Sequence, residues 1–242
     1  MGRSMLQAVI VAGGLATRLV DETRACPKSM LVIEGRPFIE YQLELLKNNG
    51  LTDVVLCLGH LGGQIEKHLG DGVKFGVNIT YSREEHPLGI AGALKNARRL
   101  MKGDFLTLYG DSYLDFDYQA AISFFQGRDR LALMTVYKNH GRYDASNTEI
   151  EGDLVTGYDK IKKTPRTIYI DYGASIFRRE ALDWLPPGER YPLEWLFTRL
   201  IDERELLAYE VKERFYEIGS PEGLKEFRGL MGGRYDSIAC TG

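Results

Sequence analysis

At 242 residues, with 44% apolar and 27% charged side chains, the chain is long enough to bury a full core and suits one large domain. Its 31 Lys and Arg against 34 Asp and Glu leave a net charge of −3, without the basic excess that sequence-independent binding of nucleic acid needs. The apolar runs around 6–12, 54–58 and 105–109 fall far short of the ~20 residues of a membrane helix, and no apolar leader precedes Gly13-Gly14. A cytoplasmic protein with no nucleic-acid and no membrane partner is expected, and nothing in the sequence speaks for or against a homo-oligomer. Cys26, Cys57 and Cys240 form no close pair, and His60, His68, His86 and His140 show no metal-ligand spacing.

In chain order, the segment 7–109 alternates short runs of Val, Ile and Leu with stretches of helical period, the pattern of an α/β protein with a Rossmann-like, mixed and mostly parallel sheet flanked by helices. A first strand is predicted over 7–12. A helix starts at Pro37, a residue suited to the first helical turn, carries Phe38, Tyr41 and Leu45 on one face and stops at Gly50. A strand over 53–58, a short helix ending near Gly70, a strand over 77–82, a helix over 89–101 and a strand over 104–109 continue the series. After Asp117 the texture turns β-rich. Strands are predicted over 131–137, 148–150, 154–158 and 167–177 with no long helix between them, and Glu151-Gly152-Asp153 reads as a hairpin turn. Helical pattern returns over 192–201, where Leu193, Leu196, Phe197 and Leu200 share a face, and over 221–230 with Leu224, Phe227 and Leu230. A single domain over 1–232 is expected, with 233–242 as a loose tail.

The strongest local signal follows the first strand. Gly13 and Gly14 remove Cβ atoms where the chain turns sharply and let backbone N–H groups approach an anion, and Arg18 adds a planar fork of donors suited to phosphate oxygens. The turn fits neither GxGxxG nor GxxxxGK[ST], so neither a dinucleotide dehydrogenase nor a P-loop ATPase is supported. Pro27 fixes the backbone before Lys28, which stands ten residues beyond Arg18 and whose compact ammonium suits charge developing on a phosphate or a departing pyrophosphate. Asp111, after Gly110 at the carboxyl end of an apolar strand, sits where open α/β sheets place ligands, and its hard oxygens suit Mg²⁺; Asp115 and Asp117 compete for that task. Glu217, between a short strand and the helix at Pro221, offers a second carboxylate.

Together these motifs resemble the sugar-1-phosphate nucleotidyltransferases, over nearly all of 7–230. The family's GGxGTR signature and downstream PK pair appear as Gly13-Gly14-Leu15-Ala16-Thr17-Arg18 and Pro27-Lys28; its PLGTAGAL-like segment is matched by Pro87-Leu88-Gly89-Ile90-Ala91-Gly92-Ala93-Leu94, and its strand ending in GD by Gly110-Asp111. The size is similar to the short members, which include heptose- and mannose-1-phosphate guanylyltransferases and N-acetylmuramate-1-phosphate uridylyltransferases, and a single activity without an acyltransferase extension is expected. The resemblance implies a nucleotide-binding part over about 5–116 and a smaller β-rich sugar-binding region over about 117–232. Ala12, Gly13, Gly14, Thr17, Arg18, Lys28 and Gly89 would bind the nucleoside triphosphate, Gly89 against its base or ribose. Asn147, Lys160, Asp171 and Gly173 would bind the sugar 1-phosphate, and Asp111 and Glu217 would hold Mg²⁺. Arg18, Lys28 and Asp111 would carry the chemistry. Departures are Ala16 for the third signature glycine, Ile90 for a common Thr, Glu217 for the usual Asp and Asn147 near a frequent glycine. Two other readings stay open: a metal-dependent glycosyltransferase of related fold, which Arg18 and Lys28 speak against, and a non-catalytic nucleotide-binding regulatory module.

Overall fold

Strand β1 (Gln7–Val11) is buried along its length, with Ala8 and Ile10 packing into one apolar cluster and Val9 into another on the opposite face. Such two-sided burial selects the unbroken apolar run seen in the sequence. The computed structural model describes residues 6–14, 26–186 and 190–239. Around β1 lie β4 (Asp53–Leu58), β5 (Asn78–Arg83) and β6 (Phe105–Tyr109), in the order β5-β4-β1-β6 and all parallel. The same nine-stranded sheet continues through β11 (Tyr169–Phe177), antiparallel to both β6 and β8 (Ala132–Lys138), then β12 (Leu206–Val211), β10 (Leu154–Tyr158) and β9 (Thr148–Glu151). Small two-stranded pieces pair β2 (Val32–Ile33) with β3 (Arg36–Pro37) and β7 (Ser112–Tyr113) with β13 (Tyr216–Glu217).

Helices cover both faces. On one side α1 (Phe38–Asn48) buries Ile39, Leu43 and Leu46, joined by α2 (Gly62–Leu69) and α4 (Tyr118–Gln126). On the other, α3 (Gly89–Ala97) and α5 (Leu193–Asp202) pack Leu94, Leu196 and Phe197 against the sheet. The last helix, α6 (Pro221–Ala239), inserts Phe227 between Phe38, Tyr41 and Tyr113, with ring centroids 5.2, 5.6 and 4.9 Å away. That anchor fixes β13 and its Glu217 relative to α1. No helix among the described residues is long and apolar enough to cross a membrane.

Three expectations change. The tail read over 233–242 is helical as far as Ala239, because Met231 still packs in the Phe227 cluster and Gly232-Gly233 weakens a helix without ending it. The helix over 89–101 is α-helical only to Ala97 and closes with a 3-10 turn, Arg98–Leu100. Helix α4 was not expected. Its aromatic-rich sequence has modest helix propensity, but Asp117 caps it by accepting from the Ala120 N–H at 2.9 Å, and Ala121, Ile122 and Phe125 bury one face. Asp117→Ala should therefore cost about 1 kcal/mol, read as a lower denaturation midpoint with unchanged slope; an unmoved midpoint would show that the cap contributes nothing.

Candidate active site

The carboxyl ends of β5, β4, β1 and β6 open on one edge of the sheet, where open α/β folds take their ligands. There a cavity of about 650 Å³ has Ala12, Gly14, Lys28 and Asp111 in its wall, and also Asn147, Lys160, Asp171 and Gly173, with Glu217 beside Ser220. Of the other expected residues, Gly13 and Gly89 stand just outside this lining, while their neighbours Ala12, Gly14 and Ile90 belong to it. Thr17 and Arg18, with Ala16, lie outside the described residues.

Lys28 opens a 3-10 turn, Lys28–Met30, closed by the Met30 N–H on the Pro27 carbonyl at 2.8 Å, so its backbone is held as the proline suggested. Its Nζ reaches Asp111 Oδ2 at 2.9 Å. Asp111 is placed from both sides: the preceding Gly110 N–H binds the Val11 carbonyl at 2.9 Å, and the Asp111 carbonyl accepts from Ile218 N–H at 2.9 Å, which draws β13 alongside. Glu217 then folds its carboxylate back onto the Gly219 N–H and the Ser220 hydroxyl. A Cβ added at Gly219 would lie 2.7 Å from Glu217 Oε2, 3.0 Å from Asp111 Oδ2 and 3.3 Å from Lys28 Nζ. Two carboxylates and an ammonium thus close over one glycine.

This donor set fits Mg²⁺. The ion takes one or two carboxylates and completes its shell with water and substrate phosphate oxygens. Among the described residues no group of three or more Asp, Glu, His or Cys is placed to hold a metal ion together. Asp117, a competitor for this task in the sequence, is occupied as the α4 cap.

At the other end, the pairing of β11 with β8 slips between Asp171 and Ser175, where Gly173 has φ +102°. The irregularity re-aims this stretch into the cavity. Asp171 accepts from the Tyr109 hydroxyl at 2.9 Å and the Gly173 N–H at 3.0 Å; burial nevertheless pushes its carboxyl above the usual range. Asn147 is buried and its Oδ1 accepts from Asp171 N–H at 2.9 Å. Lys160 pairs with Glu194, carried in the first turn of α5. Its sequence neighbour Asp159 instead accepts from the backbone N–H groups of Ile161 and Lys162.

Sequence reasoning missed Glu194, Tyr109 and Glu84. Glu84 ends just past β5, accepts from Leu88 N–H at 2.8 Å and lies against Gly13; burial raises its carboxyl. Its position directly after a parallel strand was the available signal. Glu194 gave a weaker one, an acid behind the Pro192 that starts a helix. Cys57 is a strand residue whose thiol burial pushes up to about 12, and His68 pairs with Glu40 at 2.7 Å.

The profile described as nucleotidyl transferase matches residues 7–185. A UTP–glucose-1-phosphate uridylyltransferase of Synechocystis is 28% identical, covering 98% of this chain and 66% of that protein. A D-glycero-alpha-D-manno-heptose 1-phosphate guanylyltransferase of Campylobacter jejuni is also 28% identical, covering 92% of this chain and 98% of that one. The chain therefore spans just under two thirds of the first relative and nearly all of the second. Among solved structures, HddC from Yersinia pseudotuberculosis superposes with a TM-score of 0.79 at 26% identity, covering 94% of this chain and 100% of that one. The UTP-bound UGPase from Acinetobacter baumannii does so with 0.80 at 17%, a likeness of fold, over 98% and 99%. A match that runs from the first strand past β11, and so takes in Lys28, Asp111 and Asp171, places the chain in the nucleotidyl transferase family.

Proposed function

We propose that the protein transfers a nucleotidyl group from a nucleoside triphosphate to a sugar 1-phosphate, giving a nucleotide sugar and pyrophosphate, with Mg²⁺. GTP or UTP and a heptose, hexose or amino-sugar 1-phosphate, used for envelope or capsule precursors in the cytoplasm, are the favoured substrates. The observation that carries this reading is the meeting of Lys28, Asp111 and Glu217 over Gly219, with Gly14 and Lys160 also in the wall of the same cavity.

An oxygen of the sugar phosphate attacks the α-phosphorus in line, a new P–O bond forms, and the bond to the β-phosphate oxygen breaks to release pyrophosphate. The nucleophile is already ionised near neutral pH, so no protein base is required; the difficulty is bringing two anions together. Asp111 and Glu217 would hold Mg²⁺, which when bound supplies charge neutralisation to the triphosphate. Lys28, steadied by Asp111, lies ready to offer its ammonium to phosphate oxygens, with Arg18 in the same task. Asn147, Asp171 and Gly173 shape the sugar end, and Lys160 meets the sugar phosphate.

Mixing each common nucleoside triphosphate with a panel of sugar 1-phosphates and Mg²⁺ should release pyrophosphate together with a product of nucleotide-sugar mass. Nucleotide binding without pyrophosphate across the whole panel would instead favour a regulatory module, and consumption of a nucleotide sugar would favour a glycosyltransferase.

A further inference from the structure

The loop joining β10 to β11 enters the mechanism only through Lys160. Its sequence, Asp159-Lys160-Ile161-Lys162-Lys163-Thr164-Pro165-Arg166, sets a single acidic group against three lysines and an arginine, in a chain whose net charge is −3. The loop is built rather than slack. The Asp159 carboxylate takes the N–H groups of Ile161 and Lys162 at 2.7 and 2.8 Å, and Lys163 Nζ donates to the Asp159 carbonyl at 2.9 Å. At its far end the buried Glu149 carboxylate receives the hydroxyls of Thr164 and Thr167 and the Arg166 guanidinium, the last at 3.1 Å. The tip is given to solvent, with Ile161 88% exposed.

Among the described residues, the wall of the cavity beside this loop carries more acids than bases. Asp111, Asp144, Asp171, Glu194, Glu217 and Glu222 all belong to its wall. The lysines among its described residues, Lys28 and Lys160, are both committed to ion pairs, with Asp111 and Glu194. The carboxylates left over once these ion pairs and Mg²⁺ are counted oppose a sugar phosphate dianion that approaches by diffusion. Exposed cations contribute little to folding stability, but held in a fixed array they set a local field that concentrates anions.

We infer that loop 159–166 is a preformed cationic collar at the sugar end of the cavity, and that Lys162 and Lys163 draw the phosphate of the sugar 1-phosphate toward Lys160 by through-space attraction. The inference rests on the nucleotidyl-transfer reading. Its mark is a dependence on ionic strength: the field reaches roughly 30 Å at 0.01 M salt and roughly 3 Å at 1 M.

The test compares the full-length protein with Lys162→Gln/Lys163→Gln and Lys162→Glu/Lys163→Glu double variants, using whichever sugar 1-phosphate the panel identifies. At about 0.01 M ionic strength, kcat/KM for the sugar phosphate should fall about three- to tenfold in the neutral variant and further in the reversed one, with kcat unchanged. The three proteins should converge by about 1 M salt, where the field is screened. Equal salt slopes in all three would overturn the inference, as would a loss that persists in high salt, since that marks direct contact or a distorted loop. If no sugar 1-phosphate releases pyrophosphate, the nucleotidyl-transfer reading falls and takes the collar with it; turnover with equal slopes removes the collar alone.

Discussion

Asp111→Ala should lower turnover by about 10³-fold, the scale of removing one fixed electrostatic group from a site that stabilises developing charge. The side chain is 30% exposed and bonds Lys28 at 2.9 Å. The backbone bonds that carry the fold at this point, Gly110 N–H to Val11 and Ile218 N–H to the Asp111 carbonyl, survive the substitution. Stability should accordingly change little while activity collapses. Asp111→Asn, which keeps shape and loses charge, should be nearly as inactive, because an amide neither fixes Lys28 by charge nor presents an anionic oxygen beside Glu217. Steady-state pyrophosphate release alongside thermal melting separates the two effects, and a folded Asp111→Ala protein with more than a tenth of normal turnover would remove Asp111 from the chemistry.

Gly89→Ala should destabilise the protein by about 3 kcal/mol, combining a left-handed backbone that an L side chain resists with overpacking. Gly89 has φ +71°, and an added Cβ would stand 2.5 Å from the Tyr191 carbonyl oxygen, a backbone atom with no flexible end to yield. That oxygen also accepts from Gly92 N–H at 3.2 Å, and Tyr191 N–H returns a 2.8 Å bond to Leu88. The start of α3 and the approach to α5 are therefore clasped together across this glycine, and forcing them apart disturbs Ile90 in the cavity wall and the approach to Glu194. For a chain of this size the expected fall in Tm is about 6–12 °C, and a melting temperature within a degree of the parent would show that the clasp relaxes freely.

Much of the parallel half was legible because its physics is local. β1 and β6 announce themselves as apolar runs followed at once by Gly13-Gly14 and by Gly110-Asp111, and a buried parallel strand needs that composition on both faces. Lys28 was legible through Pro27, whose effect on the chain is felt at the next residue. Contacts made across the fold left no such trace. Lys160 takes as its partner not adjacent Asp159 but Glu194, 34 positions later, while Asp159 serves its own loop. Strand β12 carries alternation too short to separate from its surroundings, and it is fixed by lying parallel to β8. Helix α6 runs past the stretch 221–230 expected from its apolar face, and Met231 belongs to a cluster with residues of sequence-distant α1 and β7.

The central position of β11, hydrogen-bonded to β6 on one side and β8 on the other, bears on how the enzyme can move. Gly14 follows β1 and Asp171 lies in β11, two strands of one nine-stranded sheet joined through β6. Swinging these two strands apart would therefore break backbone hydrogen bonds of the shared sheet, each contributing about 1 kcal/mol.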